Sequence, residues 1–461
     1  MTTANFMKFF LKNIVPQPVF DLYYKFLEYS AAARYGFPSR KMIMIGITGT
    51  KGKSTVVRLC GHILEQAGYK IGWTSSIDFK IGEKIEPNNT KMTMIGRFAM
   101  QKLLSRMAEA GCQYAIIETS SEGLAQFRHI GIDYDIAVLT NLSPEHIERH
   151  KGFANYKAAK LMLFESLGKS FRKKLNGYEA KKIIAANIVD KYADDFLKFK
   201  ADEKIGYAIS ENEITNKIKL DENIFADQIN ATLYGTDFLL QMPGSTVKIQ
   251  SRLLGKFNIE NMLAAAAVAL SQGINPEVIK QALDSFEGTP GRMERIDASA
   301  GFALFIDYAH EPKSLESVYR YCRSLISKEE GEKLICVLGA AGGGRDKWKR
   351  PVMGELAARY CDQVILTNED PYDENPAAIL NEIEAGFSKI PNSKFQIPNE
   401  CYWKILDRTE AIEKSLSLAG SGDIVILTGK GSEQCIMGPK NSKISWNEKE
   451  VVEKLLIEPM E

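Results

Sequence analysis

A chain of 461 residues is too long for one typical hydrophobic core, so two or three domains are expected. Its 45% hydrophobic and 25% charged residues are those of an ordinary globular protein, and a net charge of +1 excludes a global field for nucleic acid or membrane, leaving anion binding to local sites. The cysteines (Cys60, Cys112, Cys322, Cys336, Cys361, Cys401, Cys435) are scattered, odd in number and never in C-x-x-C spacing, which argues for reduced thiols in a cytoplasmic protein against a disulfide frame or a zinc site.

Residues 1–40 mix apolar residues with Lys, Asp and Glu and are broken at Pro16 and Pro18. They lack the apolar core of a signal peptide, and no stretch of the chain offers the ~20 apolar residues of a membrane span. The region reads as a short helical segment packed on the next domain in preference to a membrane-surface helix.

Residues 42–47 form a short apolar run, Gly49 and Gly52 let the backbone turn, and a helical pattern resumes over 55–64. This is strand, phosphate loop, helix. Backbone N–H groups of such a loop and the helix N-terminus cradle polyphosphate, Lys53 reaches the β/γ-phosphates, and the Ser54 hydroxyl suits Mg²⁺. The glycines fall at Gly46 and Gly49, whereas the common pattern wants one where Ile47 stands. An ATP or GTP site is the reading.

Further strands are expected at 71–76, 114–117, 136–139 and 182–189, with helices at 96–109 and 156–167, an alternation that builds a parallel sheet. Ligands gather beyond the carboxyl ends of such strands, where the loop, Glu118 and residues 141–150 emerge. Residues 204–254 change character toward antiparallel β, an insertion or edge sheet, before an alanine-rich helix at 255–270. A boundary is expected at residues 288–291, after which strands (303–308, 334–338, 363–367, 423–428) alternate again with helices (313–325, 350–360, 376–388, 408–418). Two such sheets across a hinge suit a bisubstrate enzyme. The fold class is thus α/β: a central ATPase-type parallel-sheet domain over 41–290 and a C-terminal Rossmann-like domain over 291–461, preceded by the helical segment.

Glu118 at a strand end suits Mg²⁺, directly or through water. His146, at the carboxyl end of another strand, is a metal-ligand candidate. Lys160 reads from spacing alone as an ordinary helix lysine. Arg292 and the Asp307-Tyr-Ala-His310 strand end offer a guanidinium for phosphate and a carboxylate for ribose or a cation, and Arg345 in its glycine turn offers a planar fork for a carboxylate.

Read together, Gly49-Thr-Lys-Gly-Lys-Ser-Thr55, Glu118-Thr-Ser-Ser-Glu-Gly-Leu-Ala-Gln126, Thr140-Asn-Leu-Ser, Tyr156-Lys-Ala-Ala-Lys160, Gly255-Lys-Phe-Asn258-Ile-Glu-Asn261, Pro290-Gly-Arg-Met-Glu294, Asp307-Tyr-Ala-His310, Arg345-Asp-Lys-Trp-Lys-Arg-Pro351 and Gly429-Lys-Gly431 resemble, in their joint order, the Mur ligase family. The resemblance runs from about residue 41 to the C-terminus, is nearest to the MurE type and explains the glycine spacing. It implies an ATP-dependent amide ligase of peptidoglycan biosynthesis: a substrate carboxylate attacks the γ-phosphate, and an amino group then attacks the acyl phosphate to give amide, ADP and phosphate. It further implies that Gly49, Thr50, Lys51, Gly52, Lys53, Ser54 and Thr55 hold ATP together with Asn258, Asn261, Arg292, Asp307 and His310. Ser54, Glu118, His146 and a carbamylated Lys160 hold Mg²⁺, with Lys53, Glu118, His146 and Lys160 as the catalytic set. Thr93, Ser120, Gln126 and Arg128 match positions for the nucleotide-linked muramyl peptide, and Arg345, Glu369, Asp370, Pro371, Tyr372, Gly429 and Glu433 match those for the incoming amino acid. Expected partners are these small molecules alone, with no nucleic acid, no stable membrane insertion and a monomeric, cytoplasmic chain.

Carbamylation of Lys160 has a physical reason. An ammonium ~4 Å from Mg²⁺ would be repelled by about 8 kcal/mol even at an effective dielectric of 20, so either the lysine is carbamylated or it is not at the metal. Forming the carbamate needs the neutral amine, which burial near cations favours.

Three departures from the family pattern bear on substrate. About 40 residues precede the loop, far short of the usual UDP-binding domain, which opens uridine recognition to question. Glu369-Asp-Pro-Tyr372 stands where diaminopimelate-specific members read Asp-Asn-Pro-Arg; without that arginine, meso-diaminopimelate is disfavoured against lysine or another amine. Ser432 and Glu122 replace histidines of the family. The alternatives are a ligase acting on a folate or polyglutamate carboxylate and a non-catalytic nucleotide-binding scaffold.

Overall fold

Runs of aliphatic and β-branched residues, each too short to be anything but a strand, alternate with amphipathic helices, and the alternation builds two separate sheets. The computed structural model describes residues 17–90, 92–144, 150–210, 218–232, 234–298, 301–327, 331–390 and 400–457. The chain divides into one unit of residues 1–231 with 235–287 and a second of 288–461 with 232–234.

The first unit contains β1 (Ile43–Thr48), β2 (Ile71–Thr74), β3 (Asp78–Ile81), β4 (Lys84–Pro87), β5 (Tyr114–Glu118), β6 (Ile136–Leu139), β7 (Lys174–Leu175), β8 (Tyr178–Glu179), β9 (Ile183–Asn187), β10 (Glu203–Ala208), β11 (Glu222–Ala231), β12 (Thr236–Met242) and β13 (Ser245–Ser251). All but the β7–β8 hairpin join one sheet in the order β13-β12-β11-β10-β9-β6-β1-β5-β2-β3-β4. The strands from β11 to β2 pair in parallel, and β5, β6 and β9 are buried along their whole length, as strands covered on both faces must be. Alternate residues of β1 divide between two cores. Ile45 and Ile47 pack under helices Lys53–Gln66, Lys256–Ser271 and Pro276–Ser285, while Met44 packs on the other face with helices Arg97–Glu109 and Phe153–Lys169.

The expected antiparallel region at 204–254 takes a different form. β10 and β11 continue the parallel sheet, and only β12 and β13 turn back antiparallel, so the segment is the edge of the central sheet and not an insertion. The cause is compositional: Ile205 to Ala208 are apolar without alternation and buried on both faces, whereas β12 alternates buried and half-buried residues. The β3–β4 hairpin at the opposite edge carries Lys, Glu and Asp among its apolar residues, which hid its period. The N-terminal helix runs Gln17–Arg34 through Pro18, because a proline in the first turn has no intrahelical N–H to lose. It packs on Arg97–Glu109, where Arg97 Nε donates to the buried Glu28 Oε1 at 2.8 Å.

The second unit contains β14 (Glu294–Ile296), β15 (Ala303–Asp307), β16 (Leu334–Leu338), β17 (Gln363–Leu366), β18 (Tyr402–Lys404), β19 (Ile424–Thr428), β20 (Cys435–Met437) and β21 (Lys443–Ser445). Its sheet runs β14-β15-β19-β16-β17-β18, parallel except for β14, and β20 pairs with β21 as a separate hairpin. Helix Lys349–Tyr360 crosses close to helix Pro376–Glu384 at Gly354, where a Cβ would lie 1.9 Å from the Ile383 carbonyl oxygen. Gly354→Ala is therefore expected to lower the stability of this unit by about 2 kcal/mol, read as a lower urea midpoint at unchanged m-value.

Candidate active site

β1 delivers the chain into the phosphate loop, and two glycines make the turn possible. Gly52 has φ 81° and caps helix Lys53–Gln66, and a Cβ there would lie 2.2 Å from Asn261 Oδ1; at Gly49 one would lie 1.9 Å from Thr140 Oγ1. The loop is clasped from the β6 end. The Asn141 side chain accepts from Lys51 N at 2.9 Å and donates to Lys51 O at 3.2 Å, Thr140 Oγ1 donates to Lys51 O at 2.7 Å, and Thr50 N donates to Asn141 O at 2.9 Å. Thr50 Oγ1 lies 3.0 Å from the buried Tyr156 hydroxyl and accepts from Ser143 N at 2.9 Å.

Two ammonium groups converge on one carbonyl. Lys53 Nζ donates to Gly49 O at 3.1 Å and Thr50 O at 2.9 Å, and Lys160 Nζ donates to the same Gly49 O at 2.7 Å. Lys160 is 1% exposed, carried on helix Phe153–Lys169, and lies 4.6 Å from the centre of the Tyr156 ring. The lysine that spacing alone made an ordinary helix lysine is thus buried against the phosphate loop.

Beside it, Ser54 Oγ donates to Glu118 Oε2 at 2.9 Å, and Ser76 N donates to the same oxygen at 2.7 Å. The Ser75–Ser76 turn is fixed by buried Asp78, whose Oδ1 accepts from Trp73 Nε1 at 2.8 Å and Ser75 Oγ at 3.0 Å. A hydroxyl and a buried carboxylate with hard oxygen donors, at the mouth of a phosphate loop, fit Mg²⁺. No cluster of three His, Cys, Asp or Glu side chains occurs among the described residues, and His146 lies outside them.

Asn258 and Asn261 lie on helix Lys256–Ser271, which packs on the loop helix, and Asn261 Nδ2 donates to Asn258 Oδ1 at 3.0 Å. Ser120 caps the short helix Ser121–Ala125, accepting from Gly123 N at 3.2 Å. Arg128 Nη2 donates to Gln126 Oε1 at 2.7 Å, and its other terminal nitrogen bonds the Met94 carbonyl, one residue from half-buried Thr93. The structure therefore brings three of the four expected acceptor positions onto one local surface of the first unit, with Ser120 at the end of the strand that carries Glu118.

In the second unit, Asp307 ends β15, where Oδ2 accepts from Met293 N at 2.7 Å and Oδ1 from Ala309 N at 2.8 Å. The Arg292 guanidinium lies 4.2 Å from the Tyr308 ring centre, and the His310 ring packs edge-on to Tyr308. Residues 369–372 and 429–433 face each other: Lys430 Nζ donates to Asp370 Oδ1 at 2.9 Å and to Glu433 Oε2 at 2.7 Å, and a Cβ on Gly429 would lie 2.5 Å from Glu369 Oε2. Tyr372 packs on Gly343 and Pro371 on Gly342, while Arg345 is exposed in the same glycine turn. Behind them Arg408 Nη1 donates to Asn368 O at 3.1 Å and Nη2 to Thr428 O at 2.9 Å; its charge is met by Glu448, an ion pair with both side chains 0% exposed.

Sequence reasoning passed over Asn141, Tyr156, Ser76 and Lys430. Asn141 and Tyr156 stood inside the quoted motifs, but pairing with the loop is set by topology, and nothing in spacing marks Ser76. Glu369 is 4% exposed with no hydrogen-bond partner on Oε2, and burial pushes its pKa up to about 7 against the pull of Lys430 and Lys349. Because the folded value lies above the ordinary 4.5, the group favours the fold while protonated, and that contribution disappears as pH rises through 7. Glu369→Gln is expected to gain stability over the wild type between pH 5 and 8, on the order of 3 kcal/mol, measured by urea denaturation across that range.

Residues 47–269 match the Mur ligase middle domain and residues 291–431 the Mur ligase glutamate ligase domain. The chain is 38% identical to a UDP-N-acetylmuramyl-tripeptide synthetase of Roseiflexus sp. (strain RS-1), over 91% of this chain and 79% of that protein. It is 34% identical to a UDP-N-acetylmuramoyl-L-alanyl-D-glutamate–2,6-diaminopimelate ligase of Syntrophomonas wolfei, over 92% and 80%. A solved structure of a ligase of the latter name superposes with a TM-score of 0.60 at 27% identity, covering 90% of this chain and 78% of that one. The chain belongs to the Mur ligase family.

Proposed function

We propose that this chain is an ATP-dependent amide ligase that joins an amino acid to the carboxylate of a UDP-N-acetylmuramoyl dipeptide. The observation that carries the reading is the convergence of Lys53, Lys160, Ser54 and Glu118 on the two ends of one phosphate loop. The relatives at 34% to 38% identity carry muramyl-peptide names, which supports that acceptor over a folate or polyglutamate carboxylate.

Loop N–H groups and Lys53 hold the β/γ-phosphates, and Asn258 and Asn261 back the loop. Lys53 leaves the Gly49 and Thr50 carbonyls to meet phosphate oxygens, exchanging two neutral acceptors for an anionic one. Ser54 and Glu118, with His146, would hold Mg²⁺, and the ion would supply charge neutralisation for the transferred phosphoryl group. Lys160 would become an anionic ligand if its amine, once deprotonated, attacked CO₂ at carbon and released one proton, giving a carbamate.

Arg128, Gln126, Ser120 and Thr93 orient the acceptor so that its carboxylate attacks the γ-phosphorus in line. The amine then attacks the acyl carbon and phosphate leaves. Arg292, Asp307 and His310 serve the nucleotide, and no covalent protein nucleophile takes part. The chain acts as a monomer.

At the amine site Tyr372 stands where an arginine would fork a second carboxylate, Glu369, Asp370 and Glu433 line the same loops, and Lys430 is already engaged by Asp370 and Glu433. We assign an amine without a distal carboxylate, lysine or a close analogue.

ADP release with UDP-muramyl dipeptide and a panel of amines tests the assignment. Lysine is expected to exceed meso-diaminopimelate by at least roughly tenfold in kcat/KM, and the reverse order refutes it. Lys160→Ala is expected to lower kcat by roughly a hundredfold or more and to be partly rescued by short carboxylic acids. Full activity without added acid would remove Lys160 from the metal site.

A further inference from the structure

Helix Gln17–Arg34 is amphipathic with its faces reversed. Val19, Leu22, Tyr23, Phe26 and Tyr29 recur at i, i+3, i+4, i+7 and i+10, a single stripe, and are 52%, 69%, 55%, 67% and 54% exposed. The face turned to the protein carries Glu28, Ala31 and Ala32, at most 1% exposed, with Glu28 paired to Arg97. A helix that buries its carboxylate and leaves five large apolar side chains outward is built to meet a second surface.

Charge selects which surface. Exposed Lys25 and Arg34 edge the stripe, and the sixteen preceding residues contain Lys8 and Lys12 and no carboxylate. Of the helix's two acids, Glu28 is buried and Asp21 is half-buried one turn before Lys25, so the helix and the sixteen residues before it still carry more cations than exposed carboxylates. Two copies facing each other through this stripe would bring cations against cations, whereas an anionic lipid surface takes both the apolar stripe and its basic edge. We propose that this helix is a peripheral docking element for an anionic bilayer, lying in the interface plane with Leu22 and Phe26 in the acyl boundary and Tyr23 and Tyr29 at headgroup level. It is not a membrane span, since no described helix is long and apolar enough to cross one. The inference does not rest on the ligase assignment.

The test is co-sedimentation of the full chain with vesicles of phosphatidylglycerol and phosphatidylcholine, and with phosphatidylcholine alone, alongside light scattering of the free protein. Binding to the anionic vesicles that weakens with salt, is roughly tenfold lower on phosphatidylcholine and falls at least roughly tenfold in Leu22→Glu/Phe26→Glu supports the proposal. The charge variant Lys25→Glu/Arg34→Glu, which leaves the apolar stripe intact, is expected to lose the anionic preference. Failure of the wild type to bind anionic vesicles overturns the proposal, as does equal binding by Leu22→Glu/Phe26→Glu. A solution dimer that Phe26→Glu dissolves overturns it in favour of a second copy.

Discussion

One carbonyl oxygen, that of Gly49, is shared by two lysine ammonium groups, and much of the first unit is arranged so that this is possible. Lys53 reaches it from the first turn of the loop helix and Lys160 from the interior of another helix. Both approaches require the loop to stay open at Gly49 and Gly52, where a side chain would strike Thr140 or Asn261. Thr140 and Asn141 hold the loop from the neighbouring strand end. Repulsion between two such cations is tolerable only where a strong acceptor sits between them, and the Gly49 carbonyl is that acceptor.

That requirement explains how the sequence divides into readable and unreadable parts. The phosphate loop was legible because a strand, two glycines and Gly-Lys-Ser-Thr are local features with a local consequence. Glu118 was legible because strand ends in a parallel sheet point to one side. Lys160 was not legible from spacing: its position in a helix says nothing of what the helix packs on, and only the family resemblance singled it out. Asn141 and Tyr156 were silent for the same reason, since their partners are about 90 and 106 residues away in sequence.

The fold followed the same rule. Unbroken apolar strands announced the parallel sheets of both units. The edge position and the antiparallel β12–β13 pair of residues 204–254 were expected, but the parallel pairing of β10 and β11 was not, because mixed pairing leaves no single period to read. The N-terminal helix was read correctly as packing on its neighbour, but a packing face and an apolar face need not be the same face, and here they differ.

The Arg408–Glu448 pair ties the loops of the second unit to the last helix of the chain. Neither member can be exchanged alone, because the survivor would be a lone charge deep in a dry interior. Drift at these two positions is therefore confined to paired substitutions, and the segment carrying Asn368 to Tyr372 inherits that restraint. Selectivity for a new amine must arise from side chains projecting off this frame, with the frame itself left where the far terminus holds it.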